Sequence, residues 1–200
     1  ECWQRLLAGA VRAEPLENPG KIIRDPLIEQ PWDQHRPYNL YLPRSTEEIS
    51  ALTGCEPTAA ALIMNFHQWP PRGKGSKTWT SVVDTDFPPE FSAPGEVAAD
   101  FSIPYDWELM QNSYPVLQSP PTASELAVAR LMFDLGVAFE SQFGTFEIGT
   151  ATYTDKPVPA LETYFGYSGL IQEESCSQAT LFQYIKEDVF AGYPVRASTP

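Results

Sequence analysis

"ALTGCEPTAAALIMNFHQWP", residues 51–70, sets a cysteine directly after a glycine and at the head of a run with helical spacing. From Glu56 to about Gln68, residues 60, 63, 64 and His67 fall on one face, and residues 59, 62 and 66 form an adjacent stripe. A helix apolar around most of its circumference belongs inside a protein. Pro57 suits a first helical turn, where its missing N–H costs nothing, and Pro70 with Pro71 ends the element. The stretch therefore predicts a buried helix with Cys55 at its N-terminus.

A thiol is a useful nucleophile only as a thiolate. Unpaired backbone N–H groups and the macrodipole at a helix N-terminus favour that form. Gly54 lets the backbone turn sharply before Cys55, and Ala59, Ala60 and Ala61 let other elements approach closely. Glu56 works against the thiolate: a carboxylate about 7 Å away opposes it by roughly 2 kcal/mol at an effective dielectric near 20. Its side chain can also turn to solvent. Such a nucleophile needs donors for a developing oxyanion and a histidine base. Gln34, in "PWDQHRPYN", is a candidate donor beside the Cys55 N–H. Neither histidine fits as the base. His67 lies about 18 Å down the same helix, and His35, adjacent to Gln34 in an extended segment, faces away when Gln34 faces the thiol.

The rest of the composition narrows the class. Two hundred residues form one substantial domain or most of a two-lobed one. Twenty prolines predict many irregular connections and argue against an all-helical bundle. A formal net charge of -13, with no basic run to offset it, excludes nucleic acid as a partner. No apolar stretch approaches the roughly 20 residues that span a bilayer. Cysteines at 2, 55 and 176 have neither metal-finger spacing nor a dense disulfide framework, so no metal or cofactor is expected.

Residues 1–25 read as an N-terminal arm or propeptide remnant, broken at Pro15, Pro19 and Gly20, and residues 26–200 as the domain proper. Residues 26–43 suggest an extended, packed segment rich in aromatics and prolines. Residues 78–83 and 97–102 read as strands. A long helix follows, with Ser124 as N-cap and a stop at Gly144. Shorter helices are expected over 157–165 and 178–191, and "YPVRA" (193–197) begins what reads as a strand.

With these residues in place, the chain resembles the streptopain family of secreted bacterial cysteine peptidases, a branch of the papain-like superfamily. "WDQHRPYN" is similar to the family's segment with the oxyanion glutamine, here Gln34, and "TGCEPTAAALIMNFHQWPPRGKGS" to its nucleophile helix, here with Cys55. "YDWELM", "VARLMFDLGVAFESQFG" and "ALETYFGYS" resemble three further landmarks in the same order. The resemblance implies an α+β papain-like fold, with this chain supplying mainly the helical half plus some strands of the β half. It implies a thiol protease that needs no cofactor. "GTFEIGTATY" resembles a substrate loop, which makes Gly149, Thr150 and Ala151 substrate-binding positions in a pocket for an apolar side chain.

In the family, the segment matching "AGYPVRASTP" is followed by the stretch that supplies the histidine base. The expected partner is therefore a C-terminal fragment of the same precursor carrying that histidine, alongside protein or peptide substrates. An exposed loop near residue 200 is where such a precursor would be cut. Without its companion the chain is expected to be unstable. Extracellular localisation is implied by the resemblance. Two other readings share these residues: an acyltransferase that passes the acyl group to an amine, and an inactive peptidase-like binding or inhibitor domain.

Overall fold

The computed structural model describes residues 25–115, 118–168 and 177–196. Helix α1 spans Cys55–His67, strand β1 Ser76–Ser81, β2 Gly95–Asp100, helix α2 Ala123–Ala138, α3 Pro157–Phe165 and α4 Gln178–Ala191. Single 3₁₀ turns occupy Pro89–Phe91 and Trp107–Leu109. Most of the expected N-terminal arm, with Cys2, and also Cys176 lie outside the described residues.

α2 is the centre of the packing. Val128, Leu131, Met132, Leu135 and Val137 are fully enclosed, and around them sit Ala60, Ala61 and Met64 of α1, Ala99 of β2, and Ala160 and Phe165 of α3. The small residues of α1 lie where the two helices meet. Phe101, Tyr105 and Trp107 close the core on the β2 side, and the Trp107 indole N–H donates to the Pro70 carbonyl at 2.9 Å. The Tyr105 hydroxyl, donating to the Asp134 carboxylate, and the Trp107 N–H each keep a partner as their rings go into the interior.

α2 begins two residues earlier than expected for a Ser124 cap. Thr122 is the N-cap: its hydroxyl accepts from the Glu125 N–H at 3.2 Å, while the Glu125 carboxylate accepts from the Thr122 N–H at 2.8 Å. This reciprocal pair satisfies two first-turn donors at once. Ser124 instead donates to the Leu109 carbonyl. The helix also stops at Ala138, short of Gly144, and the chain turns away through Glu140 at φ 57. Phe139 and Phe143 remain buried beyond the end, so the apolar rhythm outlasts the helix and misplaces its boundary in the sequence.

β1 and β2 pair antiparallel, in register from Ser76 opposite Asp100 to Ser81 opposite Gly95. Each strand begins and ends two residues before the stretch expected from sequence. Asp100 ends β2 by accepting the Ser102 N–H at 2.9 Å, an Asx turn that captures the backbone for a loop. Trp79 and Val97 pack toward α2, and the Trp79 indole N–H donates to the Ser141 carbonyl at 2.8 Å.

α3 and α4 occupy the expected ranges, and both end on glycines in the left-handed region, Gly166 and Gly192. Residues 193–196, read from sequence as a strand start, join no ladder among the described residues. Residues 26–43 form no helix or strand, yet bury Trp32, Tyr38 and Leu42. No described helix is long and apolar enough to cross a membrane.

Candidate active site

The three residues that lead into α1 are tied down on two sides. The Thr53 N–H donates to the Gln34 carbonyl at 3.2 Å, and the Gly54 N–H donates to the Gln34 Oε1 at 3.1 Å. On the other side, the Leu52 N–H donates to the Gly144 carbonyl at 2.9 Å, and the Thr150 hydroxyl donates to the Leu52 carbonyl at 2.6 Å. The approach to the helix is thus held between the Gln34 segment and the loop running from Gly144 to Thr150.

Gly54 makes the turn possible. Its φ of 90 and ψ of 149 are open to glycine and strained for other residues, and a Cβ there would stand 3.0 Å from the Thr150 Cγ2. Its carbonyl accepts from both the Thr58 N–H at 3.1 Å and the Thr58 hydroxyl at 2.7 Å. The helix start is thereby locked without an N-cap side chain. Cys55, the first residue of α1, is a free, exposed thiol. It stands where the first-turn N–H groups have no intrahelical acceptor.

The bond to Gly54 also orients the Gln34 amide. A backbone N–H can only donate, so the oxygen must face Gly54, which leaves both Nε2 hydrogens for another acceptor. The structure thus brings Gln34 and Cys55 together through the intervening Gly54.

The loop positions differ among themselves. Thr150 is buried, its hydroxyl donating to Leu52 and accepting from the Gly144 N–H at 3.1 Å, so it anchors the loop. Gly149, with φ 74, is half-buried and open on its Cβ side. Ala151 is exposed, with its backbone paired to Gln142 in both directions. Gly144 has to be glycine because a Cβ would overlap the Gly149 carbonyl oxygen.

Both histidines are where a base for Cys55 is not expected. His67 closes the far end of α1, exposed and against the Phe66 ring, so it leaves the buried face that the helical spacing gave it. His35 is exposed, with Nδ1 at 3.8 Å from the Asp33 carboxylate and its ring 6.1 Å from that of Phe146.

Glu56 is buried and forms an ion pair with Arg196, its Oε2 facing the guanidinium Nη1. Sequence reasoning took residues 193–197 only as a strand and missed this arginine. The available signal was Glu56 itself, since a carboxylate on a buried helix calls for a cation.

An exposed cysteine heading a buried helix, a glutamine amide set beside it and a helical core packed on a small antiparallel sheet define the α+β fold of the papain-like cysteine peptidases. The chain belongs to the Peptidase C10 family, whose family model matches residues 32–199. It is 29% identical over 167 residues to streptopain of Streptococcus pyogenes, an alignment covering 78% of this chain and 39% of the relative. Among solved structures it is similar to active wild-type interpain A cysteine protease of Prevotella intermedia, with 30% identity, a TM-score of 0.71, and coverage of 84% of this chain and 65% of that one. A fragment of prointerpain A from the same organism matches with 34% identity and a TM-score of 0.60, covering 70% of this chain and 42% of that one. The chain spans about two fifths of the length of the curated relatives it matches.

Proposed function

We propose that this chain is the nucleophile-bearing part of a secreted cysteine endopeptidase. The Cys55 thiolate attacks the carbonyl carbon of the scissile peptide bond, and the carbonyl electron pair moves onto oxygen. The Gln34 Nε2 hydrogens and the Cys55 N–H receive that oxyanion. As the C–N bond breaks, the leaving amine takes a proton from an imidazolium, and water then hydrolyses the thioester. The imidazole comes from a segment beyond residues 1–200, carried by a C-terminal fragment of the same precursor. Peptide substrates lie along the loop containing Gly149, Thr150 and Ala151, with Thr150 holding it in place.

The observation that carries this reading is the Gly54-to-Gln34 bond, which sets a donor amide beside an exposed thiol at a helix N-terminus. The test is alkylation of the native, full-length protein near neutral pH, followed by peptide mapping and a peptidase assay. Selective labelling of Cys55 with parallel loss of peptide cleavage is expected. Labelling of Cys2 or Cys176 with Cys55 inert, or full biological effect in a Cys55→Ala protein, would overturn it. An intact mass of the native preparation reveals the companion fragment as a second species.

A further inference from the structure

We propose that Arg196 is a positioning residue for the nucleophile: by pairing with Glu56 it offsets the carboxylate charge next to Cys55. This rests on the assignment of Cys55 as nucleophile.

Glu56 directly follows the thiol-bearing residue, in the first turn of α1. Alone, its carboxylate would raise the cost of a neighbouring thiolate. Arg196 arrives from a different part of the chain, the irregular segment after α4, and meets the Glu56 carboxylate. The two side chains are mostly enclosed, 15% exposed for Arg196 and 10% for Glu56, so water screens their charges poorly. Burial pulls the Arg196 guanidinium below its usual range, and the Cys55 sulfur opposes that shift.

The other titratable groups around Cys55 are accounted for. On the Gln34 segment, Asp33 and His35 are exposed and face each other. On the loop across from it, Glu147 is exposed and accepts the Thr145 hydroxyl. Glu56 and Arg196 are thus the enclosed charges beside the thiol among the described residues. Their pairing leaves the helix-terminus N–H groups free to favour the thiolate.

The test is the pH dependence of Cys55 alkylation in the native, full-length protein, with mapping of the labelled residue. Glu56→Gln removes the opposing charge with little change of shape, and should lower the midpoint by on the order of one pH unit. Arg196→Met should raise it by a similar amount, and the double variant should return toward the unaltered protein. A purely structural role for the pair would not produce opposite shifts that cancel. If Arg196→Met fails to fold, Glu56→Gln decides by itself. An unmoved midpoint in Glu56→Gln, with Cys55 still the labelled residue, would overturn the inference. No labelling of Cys55 in the unaltered protein would instead overturn the nucleophile assignment, and this inference with it.

Discussion

The Gly54 N–H donates to the Gln34 Oε1 at 3.1 Å across twenty residues of sequence, and this one bond decides which end of the Gln34 amide is left to act. Gln34→Ala removes the amide and its bond to Gly54, while the Thr53 N–H keeps the residue 34 carbonyl as its acceptor. A fall in kcat on the order of a hundredfold, with a much smaller change in KM, is expected from loss of one oxyanion donor. Steady-state kinetics on a peptide substrate check it. A loss confined to KM would mean that Gln34 only binds substrate.

Gly54→Ala should be costly for two independent reasons, the backbone region and the contact with Thr150. We expect about 1–3 kcal/mol of destabilisation from the backbone alone. Denaturant unfolding measures this. Peptidase activity should fall further than the folded fraction does, because Cys55 and the Gln34 amide are both placed through this residue.

Thr150→Val keeps the shape of the side chain and removes the hydroxyl that bridges Leu52 and Gly144. Leaving these buried groups without a partner should cost about 1–3 kcal/mol. The loop should also loosen, seen as faster amide hydrogen exchange over residues 144–151. Unchanged exchange there would assign the anchoring to other contacts.

Asp134 gives a pH signature away from the site. It is buried in α2, accepts the Tyr105 hydroxyl at 2.8 Å and lies 3.5 Å from the Arg130 Nε. Burial dominates over both partners and raises its carboxyl from 3.8 to about 6. The folded state therefore holds this proton more tightly than the unfolded chain. The stabilisation from protonating Asp134 is fully present below about pH 4 and is lost as pH rises through about 6, amounting to no more than about 3 kcal/mol. Unfolding free energies of the unaltered protein and of Asp134→Asn should diverge over that window. A constant difference from pH 4 to 7 would refute it.

Much of this was legible in the sequence because it depends on local rules. Pro57, the apolar run to His67 and the paired prolines marked α1 to within one residue at each end. The ranges of α3 and α4 were equally readable. Boundaries failed where a tertiary contact competed with the local pattern. Phe139 and Phe143 continue the burial of α2 after its backbone has left the helix, and the Thr122–Glu125 box outcompetes Ser124 as the cap. Strand ends slipped by two residues because the ladder register and the Asp100 turn set them.

By itself, the sequence determined the family, the helix that carries Cys55 and the residue types available for thiol chemistry, because helix periodicity, proline placement and the order of motifs are properties of neighbours along the chain. Only the tertiary structure decided which amide oxygen Gly54 holds, that Thr150 anchors its loop from inside, and that Glu56 meets Arg196. These relationships join residues 20, 98 and 140 positions apart. Hydrogen-bond direction and the enclosure of charge arise only when such distant segments pack together and exclude water.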